Sequence, residues 1–350
     1  MALRNGVSRL DSKISRPLGR AVRRRTEPRR RRLSLALQGG GAHGAFTWGV
    51  LDRLLEERGL DLDGLSGASA GALNAAALAA GWLEGGAEGA RANLERLWRR
   101  VSGLGEFSPS AAATPALDMM TRMFSPYQLN PLDVNPLRRI LEEVIDFEAL
   151  QTAEGPRLFV SATELKQGRA ELFENPDMTV DVLLASACLP HLYRAVAIDG
   201  GHYWDGGFMA NPTIFPLVFH CDSRDVMIIQ IDSLTTDEVP RSVRQINNRR
   251  SQIMFNAPLM RELEALTYMG RIAGPGRLRG SGMAGKVRGL NLHLLEGGAA
   301  MRAFDVTSKQ RADWGFFQEL KAIGRESAAA WLDRHRDALG VRSSLDLPGA

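Results

Sequence analysis

Short apolar runs and helical apolar periodicities alternate along this chain, and their order predicts its fold class. Residues 33–37 form a short apolar run that glycines follow, and residues 226–231 form a continuous apolar run typical of a strand buried on both faces. The first hundred residues run as strand, glycine loop, helix, strand, turn and helix. This βαβα order predicts an α/β protein, a single three-layer domain whose mostly parallel central sheet is covered by helices.

Two hairpins and a helical region are predicted after this unit. The hairpin strands are residues 157–163 with 169–173 and residues 195–198 with 202–204. Beyond residue 240 the apolar positions follow mostly helical spacing, apart from a predicted strand at residues 290–295. Two loops are predicted, at the proline-rich residues 102–134 and the glycine-rich residues 270–289.

Composition divides the chain into four segments. We expect a disordered Arg-rich tail at residues 1–32, a core at 33–235, a mostly helical part at 236–340 packed on the same domain, and a flexible C-terminus at 341–350. The tail carries twelve basic residues against two acidic ones, whereas the rest of the chain carries 32 basic and 38 acidic residues. The formal net charge of +4 therefore hides a mildly acidic body.

Several interpretations of the tail stay open. It is a solvated extension, a translated stretch upstream of the true start, an organelle transit peptide, or a peripheral contact with anionic lipid headgroups; no specific nucleic-acid binding is expected. The longest helical apolar stretch, residues 72–83, is too short to span a bilayer, and no signal peptide is predicted. Cys188 and Cys221 lack disulfide or metal-site spacing, so we expect free thiols and a cytoplasmic protein.

The pentapeptide Gly67-Ala68-Ser69-Ala70-Gly71 supplies the first candidate for chemistry. This G-x-S-x-G sequence lies between a short strand-like run and an alanine-rich helical run. A serine exposes its hydroxyl on a sharp strand-to-helix turn only where its neighbours are small, and here every neighbour is Gly or Ala. Ser69 is therefore a candidate nucleophile at a helix N-terminus, where developing negative charge is stabilised.

The loop Gly39-Gly40-Gly41 is a candidate oxyanion hole. Its amides lie between a strand and a helix, where they can point into one pocket without obstruction by side chains. A competing interpretation is a dinucleotide site, because the loop with Gly44 also fits G-x-G-x-x-G. Asp61 and Asp63 then lie where a ribose-binding acid is expected.

Two Asp-Gly-Gly sequences offer a carboxylate base. Asp199-Gly200-Gly201 lies between two short strand-like runs, where Asp-Gly is typical of a hairpin turn. Asp205-Gly206-Gly207 follows the second run, and its paired glycines favour a carboxylate that faces a cleft. We expect Asp205 to be the base that takes the Ser69 proton.

These motifs resemble the patatin-like phospholipase family. The blocks that carry the resemblance are residues 39–44 (oxyanion loop), 67–71 (nucleophile elbow), 205–207 (catalytic aspartate), 185–190 and 211–212. The resemblance covers about residues 33–212. It implies a serine acyl hydrolase of lipid esters that forms an acyl-enzyme through a Ser69–Asp205 dyad. It also implies an oxyanion hole from Gly39, Gly40 and Gly41, and needs neither metal nor cofactor.

Alternatives remain beside that implication. The first is a Ser-His-Asp hydrolase of the α/β-hydrolase type, acting on esters or as a polyester depolymerase, since three histidines follow Asp205 in the required order: His220, His293 and His335. The others are a dinucleotide-binding oxidoreductase and a catalytically silent lipid-binding protein. His43 replaces the Arg or Lys usual in the family's glycine loop. It is expected either to brace the loop or to make activity depend on its charge between about pH 5.5 and 7.5.

Overall fold

The computed structural model describes residues 31–104, 124–236, 239–272 and 282–345. Nearly all of the predicted tail, most of the predicted loop at 102–134, the middle of the loop at 270–289 and the last five residues lie outside the described residues. The strands are β1 (Arg31–Leu37), β2 (Leu60–Ala68), β3 (Arg157–Glu164), β4 (Arg169–Glu174), β5 (Val196–Ile198), β6 (Gly201–Asp205), β7 (Asp225–Gln230) and β8 (Asn291–Glu296).

The helices cover both faces of the sheet formed by these strands. They are α1 (Gly44–Leu54), α2 (Ala70–Ser102), α3 (Pro126–Leu129), α4 (Pro136–Val144), α5 (Phe147–Thr152), α6 (Val180–Ser186), α7 (Phe215–His220), α8 (Val243–Ile272), α9 (Met283–Arg288), α10 (Gly298–Arg302) and α11 (Trp314–His335). Helix α2 is broken at Gly85 and Gly86, which have non-helical dihedrals. No helix of the described segments is long and apolar enough to cross a membrane.

All eight strands form one mixed sheet in the order β5-β6-β3-β2-β1-β7-β8, with β4 paired to β3. Strands β3, β2, β1, β7 and β8 run parallel, whereas β4 and the β5–β6 hairpin pair antiparallel. The predicted α/β fold with a mostly parallel sheet is confirmed.

Alternation along the central strands builds two cores. In β1, Leu33, Leu35 and Leu37 pack with α1, α2 and α11, whereas Ala36 faces the cluster that contains α7 and α8. Strand β7 alternates in the same way, because successive side chains of a strand point to opposite faces. The sheet is thus the middle of three layers, as predicted.

Strand β3 is the element that shapes one end of the sheet. Residues 159–161 pair with β2 on one edge and with β4 on the other, and residues 162–164 pair with β4 and β6. Strand β6 therefore lies on the same edge of β3 as β2. Ala68, the last residue of β2, is opposite Ser161, and Asp205, the last residue of β6, is opposite Ala162. The carboxyl ends of β2 and β6 therefore meet on this edge of β3.

Some local expectations differ from the structure. Strand β1 begins at Arg31, so Arg31 and Arg32 belong to the sheet and not to the tail. Helix α9 lies inside the predicted glycine-rich loop. The N–H groups of Ser344 and Leu345 donate to the Leu292 carbonyl, so the start of the predicted flexible C-terminus is hydrogen bonded to β8. In each case backbone pairing with the sheet or helical hydrogen bonding outweighs local composition.

Candidate active site

Ser69 lies alone between β2 and α2. Its dihedrals, φ 54° and ψ −128°, are unusual for a residue with a side chain and mark a tight strand-to-helix turn. A Cβ on Gly67 would lie 2.5 Å from the Gly71 carbonyl carbon, and one on Gly71 would lie 2.1 Å from the Leu37 oxygen. The turn is therefore packed against itself and against β1, and both flanking positions require glycine.

Asp205 meets Ser69 because β6 and β2 end face to face on β3. The carboxyl is buried, and the Ser69 side chain lies close enough to lower its pKa. Oδ1 also accepts the N–H of Gly207 at 2.7 Å. The backbone of Asp205 is fixed on both sides, since its N–H donates to the Cys188 carbonyl at 2.9 Å and its carbonyl accepts from the Thr163 hydroxyl at 2.8 Å.

Burial changes the acid–base character of Asp205. Desolvation raises the pKa of this carboxyl from 3.8 to about 6, although the interactions with Ser69 and Gly207 act in the opposite direction. An aspartate with its ordinary pKa is a weak base for a serine hydroxyl, whereas a pKa nearer neutrality suits general-base catalysis. Burial therefore shifts this carboxyl towards the pKa that a general base requires.

The other Asp-Gly-Gly sequence has a different place. Asp199 is exposed at the turn between β5 and β6, with φ 47°, and Gly200 follows with φ 81°. Both residues take the left-handed conformation that a tight hairpin turn requires. Asp199 is thus a turn residue, as predicted, and provides a natural control for Asp205.

The glycine loop approaches the serine turn closely. A Cβ on Gly39 would lie 2.9 Å from the Ser69 Cβ, and Gly41 has φ 57° beside the Lys309 carbonyl. The N–H of Gly39 donates to Asn211 Oδ1 at 2.7 Å, so it is already used and does not point to an oxyanion. The N–H groups of Gly40 and Gly41 donate to no acceptor in the part of the chain that the structure describes. Of the three predicted donors, Gly39 thus differs from Gly40 and Gly41 in that its N–H is already hydrogen bonded.

A buried amide network holds the loop to the sheet and to α8. Gln38 Oε1 accepts the N–H groups of Ile231 and Asp232 at 2.7 and 2.8 Å, and Gln38 Nε2 donates to Asn256 Oδ1 at 2.7 Å. Asn256 in turn donates to the carbonyls of Asp232 and Ser233. Because every member is buried, the network fixes the residue that precedes the glycines.

Sequence reasoning did not assign roles to four polar residues that position the site. Ser186 Oγ accepts the Ser69 N–H at 3.0 Å, Asn211 holds Gly39, and Gln38 and Asn256 form the amide network. Ser186 and Asn211 lie inside sequence blocks already noticed for their family resemblance. Gln38 and Asn256 are 218 positions apart, and nothing local in the sequence pairs them.

His43 is buried and Nε2 lies 2.8 Å from Ser308 Oγ, which ties the glycine loop to the 3-10 turn at residues 306–310. Burial, and after it the charge of Lys309, lowers the pKa of His43 from 6.5 to about 4. A pKa of about 4 does not favour a change of charge on His43 between pH 5.5 and 7.5. The contact with Ser308 favours the alternative expectation, that His43 braces the loop.

The histidines proposed for a Ser-His-Asp triad lie elsewhere. His293 is fully buried on β8, and its ring nitrogens bond Asp225 and Ser344 at 2.9 and 3.0 Å. His220 and His335 contact the rings of Phe159 and Trp331. Across the four described ranges none of the three contacts Ser69 or Asp205, so a histidine base for Ser69 is not supported.

The dinucleotide interpretation fails on geometry. Asp61 and Asp63 lie in the first half of β2, whereas the glycine loop follows the carboxyl end of the parallel β1, so they lie towards opposite ends of the sheet. Asp61 pairs with Arg32 at 3.6 Å, and the Asp63 carboxylate accepts the N–H groups of Asp222 and Ser223. A ribose-binding acid lies beside the glycine loop, and these two carboxylates do not.

A comparison with known proteins gives the family of the chain. Residues 35–218 match the family model described as patatin-like phospholipase, which includes the serine turn and Asp205. Among solved structures, the chain is similar to VipD from Legionella pneumophila, with a TM-score of 0.39 and 17% identity, over 88% of this chain and 67% of that one. No curated protein matches the sequence.

Proposed function

Because the chain belongs to the patatin-like phospholipase family, we propose that it is a serine hydrolase of lipid carboxylic esters that works through a Ser69–Asp205 dyad. The family supports lipid hydrolysis in general, and the roles of individual residues are the proposal. The observation that carries it is the buried Asp205 carboxyl, whose pKa is raised to about 6 and which interacts with the Ser69 side chain.

The first half of the proposed reaction is acylation. Ser69 Oγ attacks the ester carbonyl carbon while the Asp205 carboxylate takes the hydroxyl proton. The carbonyl oxygen becomes an oxyanion, which the N–H groups of Gly40 and Gly41 stabilise at the glycine loop. Collapse of the tetrahedral intermediate breaks the ester C–O bond, and the leaving alcohol takes the proton from Asp205. The acyl group is then esterified to Ser69.

The second half is hydrolysis of the acyl-enzyme. Asp205, again ionised, takes a proton from water as the water oxygen attacks the acyl carbon. The second tetrahedral intermediate expels Ser69 Oγ, which recovers the proton from Asp205, and the carboxylic acid leaves. The helix N-terminus at Ala70 favours negative charge beside Ser69 in both halves.

Covalent labelling tests the assignment directly. The full chain is treated with a fluorophosphonate probe and the modified peptide is identified by mass spectrometry. We expect Ser69 to carry the label, Ser69→Ala to be unlabelled, and Asp205→Asn to react roughly 100-fold more slowly or worse, since general-base catalysis contributes about 10²–10⁴-fold. Asp199→Asn, the matched control at the hairpin turn, is expected to react like the wild type.

Substrate class is read from the products. The wild type and Ser69→Ala are incubated with a mixed lipid extract, and the released acids and the depleted lipids are identified by mass spectrometry. Release that depends on Ser69 supports the proposal and names the lipid. A wild type that binds lipid but releases no acid would make the chain a silent lipid-binding protein and would contradict it.

A further inference from the structure

Large apolar side chains are exposed on the two segments that flank Asp205. Leu189 and Leu192 precede β5, Phe208 and Met209 follow the Asp205 motif, and each is between 37% and 41% exposed. The hydrogen bond from the Asp205 N–H to the Cys188 carbonyl holds the first segment against the second. Exposed apolar residues scattered singly are ordinary, but four beside one catalytic residue form a patch.

Helix α8 extends this patch. The ring of Phe255 lies 6.2 Å from that of Phe208, and a Cβ on Gly207 would lie 2.9 Å from Phe255. Immediately before Phe255 on the helix, Ile253 and Met254 are 54% and 56% exposed. Phe255 therefore joins α8 to the Asp205 motif, and Ile253 and Met254 expose further apolar area on other sides of the same helical turn.

The amino-terminal half of α8 carries apolar residues on its exposed face. Its buried residues, Asn256, Leu259, Leu263 and Leu266, follow one face. Val243, Ile246, Arg250 and Ile253, at spacings of three and four, share another face and are exposed. A helix that covers a core directs its apolar residues inward, so this outward stripe has no partner among the described residues.

Positive charge accompanies the stripe. Residues 243–261 include Arg244, Arg249, Arg250 and Arg261 and no acidic residue. Arg244 is neutralised by Asp305 at 2.6 Å, whereas Arg250 is exposed in the middle of the stripe. The first acid of the helix, Glu262, points inward and accepts the Thr213 hydroxyl and the N–H of Ile214. The outer face is thus apolar and cationic together.

We propose that this surface, the docking face, seats the active site on a lipid aggregate with anionic headgroups. Apolar side chains that enter the acyl boundary and arginines at the headgroup level are the two contributions that hold an interfacial helix on an anionic membrane. The inference rests on the proposed function for its substrate, because a lipid ester must leave its aggregate to reach Ser69. The docking face brings Ser69 to the ester.

Vesicle binding tests the docking face without turnover. The full chain carrying Ser69→Ala is mixed with vesicles of phosphatidylcholine alone or with 30% phosphatidylglycerol, and the bound fraction is measured by flotation. The double change Ile253→Ser with Met254→Ser is expected to weaken binding to the anionic vesicles by roughly tenfold or more. It removes two apolar side chains that would otherwise transfer from water into the lipid on binding. Ile246→Ser is a second, single change on the same stripe.

Charge is tested separately. Arg250→Glu is expected to weaken binding to the anionic vesicles by about tenfold or more and to change binding to neutral vesicles little, since the anionic headgroups attract an arginine and repel a glutamate. The matched controls are Arg271→Glu and Ile272→Ser, both exposed at the far end of α8. They lie 18 and 19 residues beyond Ile253 on the same helix and are expected to bind like the parent.

Three results would overturn the docking face. Face variants that bind like the parent place vesicle binding elsewhere, for example on the basic tail. Equal losses in the control variants would show that vesicle binding is nonspecific and does not depend on this face. Loss of a dimer in sedimentation, with vesicle binding unchanged, makes the face a contact between two copies of the chain. Activity on a soluble short-chain ester, measured with Ser69 restored, tests the proposed function separately, because the face variants are expected to keep it.

Discussion

The two ends of the central sheet each hold a serine near a buried aspartate. At the carboxyl end of β2, Ser69 interacts with Asp205. At the amino end of the parallel strand β7, Ser344 Oγ lies 3.0 Å from His293 Nδ1, and His293 Nε2 lies 2.9 Å from Asp225 Oδ1. The second arrangement contains the three residue types of a serine hydrolase triad, and the first lacks the histidine.

The two ends differ in the features that the chemistry proposed for Ser69 requires. Ser69 lies on a strained turn, at a helix N-terminus and beside a glycine loop, and its partner has a raised pKa. The N–H of Ser344 donates to the Leu292 carbonyl, and Asp225 Oδ1 also accepts the N–H of Gly340 at 2.8 Å. The Ser344 arrangement fastens the chain's last described residues to the sheet.

Removing each serine in turn tests this contrast most strongly. Ser69→Ala is expected to lower kcat/KM by roughly 10⁴-fold or more, because a catalytic group that acts as a unit with its base cannot be replaced. Ser344→Ala is expected to leave kcat/KM within about twofold. Hydrolysis of a soluble ester by both variants measures the contrast, and a large loss in Ser344→Ala alone would reverse the assignment of the two ends.

Replacing Asp205 gives the next largest effect and moves activity and stability in opposite directions. Asp205→Asn is expected to lower kcat by about 10²–10⁴-fold. The pKa of Asp205 is raised from 3.8 to about 6, so the ionised carboxyl lowers the free energy of unfolding above pH 6 and has no such effect below about pH 4. Two pKa units correspond to about 3 kcal/mol.

Thermal unfolding at several pH values measures the stability half of that prediction. At pH 8 Asp205→Asn is expected to have a higher Tm than the wild type, and the difference is expected to vanish near pH 4. Asp199→Asn, which changes an exposed carboxyl at a turn, is the control and should show neither effect. A lower Tm for Asp205→Asn at pH 8 would mean that the carboxylate stabilises the fold.

Much of this contrast was predictable where the signal is local. The serine turn is specified by five consecutive residues, since only Gly and Ala fit around Ser69. The fold class followed from the order of apolar runs, because strands β1 and β7 are buried on both faces and read as continuous apolar segments. Local patterns therefore predicted the serine turn and the sheet.

The remainder depends on contacts between residues that are far apart in sequence. The meeting of Ser69 with Asp205 requires that β2 and β6 share one edge of β3, which no periodicity encodes. The raised pKa of Asp205 and the lowered pKa of His43 come from burial by the whole fold. The use of the Gly39 N–H by Asn211 depends on a partner 172 positions away.

Removing His293 tests the structural role of the far end. His293→Ala leaves Asp225 buried without one of its hydrogen-bond partners and opens a cavity beside Trp331, which packs edge-on at 5.5 Å. We expect a loss of about 2–4 kcal/mol in the free energy of unfolding, measured by denaturant titration. The kcat per fluorophosphonate-labelled molecule should stay within about twofold, whereas a fall in kcat at unchanged stability would assign His293 to catalysis.

The pH dependence of activity is the last test, and its expected result is that two histidine variants change the profile little. Asp205 must be ionised to act as a base, so kcat/KM is expected to fall about tenfold per pH unit below its pKa of about 6. A histidine base would produce an acid limb in the same pH range. Variants of the histidines are therefore needed to tell whether Asp205 or a histidine titrates. His43 is already neutral there, because its pKa is lowered to about 4, and His43→Gln and His293→Ala should both keep the wild-type limb. A limb that disappears in either variant would move the titrating group from Asp205 to that histidine.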